Sequence, residues 1–145
     1  MERVFLDANV VFSAAYSPGS HLLELWQIDG VEIVTSLFAL EEARRNLSQD
    51  CLDTLDELAS KTVIVSGSRT GQLPDNVHLA DKDIPILLAA IDSWCNYLLT
   101  GDKRHFDALY GESISGVLIL TPAQYLRIKK AQAPGEYILF LKPEA

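Results

Sequence analysis

Short apolar runs alternate along this chain with longer segments in which apolar residues recur every three or four positions. The apolar runs fall at residues 3–6, 31–35, 62–65, 97–100 and 117–120. Helical spacing marks residues 20–29, 36–60 and about 84–95, and two further segments that begin at 103 and 123. Strands so short and so uniformly apolar are typical of strands buried on both faces. The pattern therefore predicts an α/β fold in which helices cover both faces of a mainly parallel sheet.

The whole chain, residues 1–145, is predicted to form a single domain. Its length and its hydrophobic content of 48% are sufficient for one core that is covered on more than one side. The longest gap between elements, the loop at 66–78, is too short to be a domain linker. Pro134 and Gly135 end the last helix, and YILFL then has the composition of a strand. We expect this C-terminal extension, about 134–145, to form a sheet edge or to lie on a partner subunit.

The distribution of apolar residues and cysteines bears on where the protein works. No run approaches the roughly 18 consecutive apolar residues of a membrane span, and the start MERVFL is unlike a signal peptide. We therefore expect a cytoplasmic protein with no membrane partner. Cys51 and Cys95 lie far apart without CxxC spacing, which indicates neither a disulfide framework nor a zinc site. Both are expected to be buried, reduced thiols.

The formal net charge of -8 limits how the protein can hold nucleic acid. It argues against binding mainly through a general basic surface, because that mode of binding requires many Lys and Arg contacts to phosphate. Nucleic acid as a substrate is not excluded. An acidic excess arises either from a solvated surface or from carboxylates gathered at a cation site, and composition does not separate the two.

Acidic residues follow or face the ends of several predicted strands. Asp7 comes directly after RVFL, and Asp102 comes after YLLTG. Glu42 lies in the early turns of the helix after VEIVT, and Asp83 opens the helix that contains IPILLAAI. If the strands are parallel and central, all four carboxylates meet at the carboxyl edge of the sheet, where open α/β sheets bind ligands.

Each of these acids also has a purely structural interpretation. Asp7, Asp83 and Asp102 are suited to turns or helix N-caps, and Glu42 to a solvated helix face. Four such coincidences at one edge are much less probable than one. Carboxylates held close together repel each other unless a cation lies between them, and oxygen ligands without Cys or paired His suit Mg²⁺ or Mn²⁺. Such an ion promotes hydrolysis of a phosphodiester.

Two other enzyme classes fit the sequence less well. A phosphatase with an aspartate nucleophile also has an Asp after its first strand, but it normally has a second Asp two residues later. Here that position is Asn9. The chain also contains no GxxxxGK loop and no GxGxxG after a strand, so the common nucleotide-binding classes are excluded.

Five segments, in order, resemble one known family. LDANV, EEARRNL, KDIPILLAAI, LLTGDKRHF and ISGVLILTPAQYL together are similar to the PIN domain over about residues 3 to 127. This nuclease domain occurs in many toxins of prokaryotic toxin–antitoxin pairs, the VapC-like ribonucleases among them. The resemblance implies a three-layer α/β/α fold, acids that coordinate Mg²⁺ or Mn²⁺, and ribonuclease activity on single-stranded RNA, often in a homodimer.

The resemblance assigns the four acidic positions of the family by sequence order. They fall on Asp7, Glu42, Asp83 and Asp102. Glu42 is preferred to Glu41 because the residues that follow it match the family pattern, and because adjacent helix residues point about 100° apart. Asp81 is a weaker competitor for Asp83.

The resemblance also suggests supporting residues. Asn9 and Thr100 match polar positions that support the first and fourth acids. Lys103 and Arg104 are candidates for contact with substrate phosphates, whereas His105 is better explained as part of a polar helix face.

Three further groups of residues have weaker interpretations. Arg44 and Arg45 are candidates for contact with RNA or for a salt bridge to a partner. Trp26 and Trp94 are expected in the core rather than at a base-stacking surface. His21, like His78, is expected at the surface or in a loop.

Two hypotheses from different classes follow. The first is a metal-dependent ribonuclease that hydrolyses single-stranded or structured RNA, the toxin of a toxin–antitoxin pair being a further expectation from the small size of the chain. The alternative is a non-catalytic PIN-like module that binds a protein partner and retains the acids for stability. Retention of all four acids favours the ribonuclease.

Overall fold

A computed structural model describes residues 1–67, 72–101 and 106–132 of the chain. In chain order its strands are β1 (Glu2–Leu6), β2 (Val31–Ser36), β3 (Val63–Val65), β4 (Tyr97–Leu99), β5 (Ser113–Ile114) and β6 (Val117–Leu120). Its α-helices are α1 (Ala8–Tyr16), α2 (Leu37–Asn46), α3 (Gln49–Ser60), α4 (Ile84–Asp92) and α5 (Pro122–Gln132), with 3₁₀ helices at His21–Gln27 and Asp107–Leu109. The predicted start of a helix at 103 and the predicted strand YILFL lie outside the described residues.

The six strands form one sheet in the order β3-β2-β1-β4-β6-β5. All neighbouring strands are parallel except β5 and β6, which form an antiparallel pair. β1 lies in the middle, where Phe5 is opposite Val34 of β2 and Leu6 is opposite Leu99 of β4. The prediction of a mainly parallel sheet is confirmed, and the carboxyl ends of β1, β2 and β4 meet at one edge.

Side chains of successive strand residues enter two separate cores, one on each face of the sheet. Val4 and Leu6 of β1 belong to the core beneath α1, α3 and α5, whereas Phe5 belongs to the core beneath α4. Leu99 and Leu98 of β4 divide in the same way. Burial on both faces explains why these strands are almost wholly apolar, and the three-layer α/β/α arrangement is confirmed.

The helical segments differ from the prediction in two places. The segment predicted as a helix over 20–29 is a 3₁₀ helix, His21–Gln27. α1 was not among the predicted helices, because Asn9 and Ser13 are its only clearly polar residues and too few to mark a polar face in the sequence. The buried residues of α1 are Ala8, Val10, Val11, Ala14 and Ala15.

A short hairpin at the edge of the sheet was also not predicted. Ser115 and Gly116 both have positive φ, 50° and 88°, and they connect β5 to β6. Two consecutive residues with positive φ are characteristic of a type I′ turn, the turn that suits a two-residue hairpin connection. The Ser-Gly pair before VLIL was the only local signal for it.

The prediction that Trp94 lies in the core is wrong, since its side chain is 85% exposed. It has a φ of 60° in the turn between α4 and β4, and this backbone conformation accompanies a ring that points into solvent. Trp26 is partly buried, and its Nε1 donates a hydrogen bond to Thr62 Oγ1 at 2.9 Å. Cys95 is buried as predicted, but Cys51 is only partly buried.

None of the helices in the described part of the chain is long and apolar enough to cross a membrane.

Candidate active site

Asp7 lies at the point where the central strand becomes a helix. It follows the last residue of β1 and is the N-cap of α1, with Oδ1 accepting a hydrogen bond from the backbone N–H of Ala8 at 2.7 Å. Only 5% of Asp7 is exposed. The residue therefore does cap a helix, and it also places a buried carboxylate at the carboxyl edge of the sheet.

Two polar side chains contact the second oxygen of Asp7. Thr100, directly after β4, donates from Oγ1 to Asp7 Oδ2 at 2.8 Å. Asn9 Nδ2 lies 3.4 Å from the same Oδ2 and 3.3 Å from Thr100 Oγ1. Asn9 Oδ1 in turn accepts from the backbone N–H of Gly101 at 2.9 Å. Asn9 thus links α1 to the loop that leads toward Asp102.

The backbone on either side of this network is held by residues that the sequence did not suggest. Thr35 Oγ1 on β2 donates to the carbonyl of Leu6 at 2.8 Å, just before Asp7. The Tyr110 hydroxyl donates to the carbonyl of Thr100 at 2.9 Å. Thr35 could have been noticed as a polar residue at the end of an apolar strand, whereas no local pattern distinguishes Tyr110.

Asp83 contributes a second buried carboxylate from the start of α4. It is 6% exposed and precedes a helix with Pro85 in its first turn. Within the described residues its side chain makes no N-cap hydrogen bond, so capping does not account for its burial. Asp81, the weaker competitor, is exposed.

Glu42 enters the site from α2. The helix begins directly after β2 because Ser36, itself buried, accepts a hydrogen bond at Oγ from the N–H of Ala39 at 3.1 Å. This start places Glu42 in the second turn, partly buried, while Glu41 is exposed to solvent. Glu42 also borders a cavity that it shares with Asn9.

Burial and two neighbouring acids change the pKa of Asp7. Burial raises the pKa of Asp7 from 3.8 to about 6, the largest single cause being loss of solvation. The hydrogen bonds from Thr100 and Ala8 lower this pKa, and the charges of Asp83 and Glu42 raise it further. The charges of Glu42 on α2 and Asp83 before α4 therefore reach Asp7 at one edge of the sheet.

Part of the predicted metal-binding set lies outside the described residues. Asp102, Lys103 and Arg104, like His105, lie outside the described residues. Among the residues that are described, no three His, Cys, Asp or Glu side chains lie close enough together to hold a metal ion. The charges of Glu42 and Asp83 reach Asp7, but these three carboxylates do not form a metal site without a further ligand such as Asp102. Their oxygen donors nevertheless suit Mg²⁺ or Mn²⁺, and a cation beside Asp7 would favour its ionised form.

The fold is similar to that of a solved structure. The chain aligns with a chain in the crystal structure of VapBC2 from Rickettsia felis bound to a DNA fragment from their promoter, with a TM-score of 0.60. The alignment covers 82% of this chain and 98% of that chain. The protein has a PIN-like fold. Sequence identity is 17%, so the likeness concerns the fold alone. No protein-family model and no curated protein matches the chain.

The two arginines of α2, which follow Glu42, have different environments in this PIN-like fold. Arg44 forms a salt bridge with Asp56 of α3, with 2.8 Å between the guanidinium nitrogen and the carboxylate oxygen. Arg45 is exposed. Arg44 is therefore paired within its own chain, and Arg45 is the better candidate for contact with RNA or a partner.

Proposed function

We propose that this protein is a metal-dependent endoribonuclease, with Asp7, Glu42, Asp83 and Asp102 holding Mg²⁺ or Mn²⁺. The observation that carries the proposal is the burial of the Asp7 carboxylate. This carboxylate is almost completely buried at the carboxyl edge of a parallel sheet, and its pKa is raised by desolvation and by two further acids. An arrangement that disfavours its own charge is accounted for when a cation is the normal occupant.

The bound cation would supply polarisation of the scissile phosphoryl group and a lowered pKa for the attacking water. The protein's own contribution is orientation. Thr100 and the N–H of Ala8 fix the two oxygens of Asp7, and Asn9 connects this residue to the backbone at Gly101. Fixed ligands need no rearrangement when the substrate binds, which is the main source of electrostatic stabilisation in enzyme sites.

The proposed RNA substrate and toxin role rest on resemblance. The resemblance over residues 3–127 implies ribonuclease activity, and the structural neighbour is described as VapBC2 bound to promoter DNA. By analogy we propose an antitoxin partner for this protein, and a homodimer as its assembly. Because the chain carries a net charge of -8, contact with promoter DNA in such a complex would come mainly from the partner. Lys103 and Arg104 remain predicted contacts for substrate phosphates.

The experiment that tests the proposal is cleavage of a panel of single-stranded and structured RNAs. Wild type and Asp7→Asn are compared in Mn²⁺ and in chelator. Asn retains the ability to cap α1, so the substitution removes the charge of Asp7 with little effect on the helix. We expect Mn²⁺-dependent cutting that falls in the variant by more than the roughly 10- to 100-fold loss typical of residues that only support a metal ligand.

The competing hypothesis, a non-catalytic interaction module, predicts a different result. Neither protein would cut any RNA, and Mn²⁺ would make no difference. Cutting of equal rate by wild type and Asp7→Asn would indicate a contaminating nuclease and would count against the proposed site.

A further inference from the structure

A cavity of about 240 Å³ lies between α1 and α2, directly beside the candidate active site. Two of its lining residues belong to that site: Asn9 contacts Asp7, and the charge of Glu42 raises the pKa of Asp7. Whatever enters the cavity therefore lies next to the group on which the chemistry depends. Its lining residues are Ala8, Asn9, Phe12, Glu42, Ala43 and Asn46.

The cavity has an aromatic wall that continues to the protein surface. Phe12 stacks on Tyr16 with ring centroids 5.5 Å apart and an angle of 16° between the rings. Tyr16 is 61% exposed and belongs to neither core cluster of the described residues. Asn9 and Phe12 line the cavity, and Tyr16, one turn after Phe12, extends the same side of α1 beyond it.

The facing side of the groove is formed by α2. Glu42 and Asn46, four residues apart, line the cavity, and Phe38 lies on the same stripe of the helix one turn before Glu42. Phe38 is 42% exposed. Asn46 donates from Nδ2 to the carbonyl of Glu42 at 3.0 Å, and among the described contacts its amide oxygen stays available as an acceptor.

We propose that this cavity binds one unpaired base of the RNA, adjacent to the phosphate that is cut, with the base stacked on Phe12. The proposal rests on the proposed ribonuclease function. A volume of about 240 Å³ is smaller than the roughly 300–1,000 Å³ of sites for drug-sized ligands, and it suits a single planar group. A neutral base avoids the repulsion that Glu42 would impose on a phosphate. An aromatic platform selects single strands, because only an unpaired base can leave its stack.

Asn46 adds an expectation about which base is preferred. Its acceptor oxygen would pair with an exocyclic amino group, which adenine, cytosine and guanine carry and uracil lacks. Uracil has a carbonyl group where cytosine has its amino group, so at that position the Asn46 oxygen would meet an acceptor instead of a donor. The cut sites are therefore expected to disfavour uracil at one defined position.

The test is an abasic scan of a short single-stranded RNA that the wild-type protein cuts. Each nucleotide near the cut is replaced in turn by an abasic nucleotide, and kcat/KM is measured in Mn²⁺ for wild type and Phe12→Leu. In the wild type we expect one abasic position to lower kcat/KM about tenfold or more, the range typical of loss of a stacked base. In Phe12→Leu the intact RNA should already show this loss, and the abasic position should add little to it.

Two further variants provide the controls. Trp94→Leu removes another exposed aromatic ring, but from the turn before β4, at the opposite edge of the sheet, so the abasic effect should stay as in wild type. Asn46→Ala changes an exposed residue and should fold normally, and it should relax the discrimination against uracil. This variant keeps the proposal testable if Phe12→Leu proves unstable in a melting experiment.

Equilibrium binding separates failure of the pocket from failure of the nuclease function. Asp7→Asn, alone and combined with Phe12→Leu, is titrated into fluorescein-labelled single-stranded RNAs of mixed sequence. Binding that depends on Phe12 without any cutting by wild type would support the pocket and overturn the nuclease function. Cutting whose rate does not change in Phe12→Leu or at any abasic position would support the nuclease function and overturn the pocket. The absence of both binding and cutting would overturn both proposals.

One protein-based outcome would also overturn the proposal. If Phe12→Leu cuts RNA as the wild type does but no longer retains a co-expressed antitoxin, the groove between α1 and α2 is a site for a protein side chain. The base pocket would then have to be abandoned.

Discussion

Asp7 is a carboxylate whose surroundings favour its protonated form when no cation is present. Its pKa is about 6 in the folded protein, against 3.8 as the ordinary value. Between these two pH values the folded state binds more protons at Asp7 than the unfolded state does. The contribution of Asp7 to stability is therefore fully present below about pH 3.8 and is lost as the pH rises through about 6.

This behaviour gives a prediction for the protein in chelator. A shift of about two pKa units corresponds to about 3 kcal/mol of unfolding free energy, so the wild type should lose stability at Asp7 between about pH 4 and pH 7. Asp7→Asn should lack this dependence and should be more stable than wild type at neutral pH. Urea unfolding of both proteins across this pH range measures the difference. Identical pH profiles would mean that the fold does not raise the pKa of Asp7.

At the scale of elements, the start of α2 decides which glutamate belongs to the site. The Ser36 cap fixes the register of the helix, and this register leaves Glu41 in solvent while Glu42 is partly buried beside Asn9. Two chemically identical side chains, adjacent in sequence, thus have different environments. They form a natural matched pair.

The matched pair gives a second prediction. Glu42→Gln should lower Mn²⁺-dependent RNA cleavage by roughly 10-fold or more, because it removes a predicted ligand or its charge. Glu41→Gln removes the same charge from the same helix and should leave the rate within about twofold of wild type. Single-turnover cleavage rates measure both. Equal losses in the two variants would show that only the overall charge matters.

The elements that the sequence predicted well are those whose pattern is local. The apolar strands and α2 through α4 repeat a pattern that burial on defined faces imposes, and this pattern can be read from spacing alone. α1 was missed because its sequence is almost wholly apolar, so that its exposed side is not marked by polar residues. The β5–β6 hairpin was not predicted because β5 has only two residues, too few to show an alternation of polar and apolar positions.

At the scale of the whole molecule, the order of the strands brings the site together. β1 lies between β2 and β4, so residues after these strands become neighbours although far apart in sequence. The sequence was sufficient to predict that Asp7, Glu42 and Asp83 would approach one edge. It was not sufficient to predict the contact of Thr35 with Leu6 or of Tyr110 with Thr100. Such contacts depend on which elements are adjacent, and no local pattern encodes that.

The central claim is that the acids at this edge form a site for a divalent cation, and its most direct test is the melting temperature in Mn²⁺. A ligand that binds only the folded state stabilises it, by about 2.7 kcal/mol at one hundred times the dissociation constant. At neutral pH, the wild type and Glu41→Gln should melt at higher temperature as Mn²⁺ is added, and Asp7→Asn should not respond. No rise in the wild type, or an equal rise in Asp7→Asn, would contradict the account.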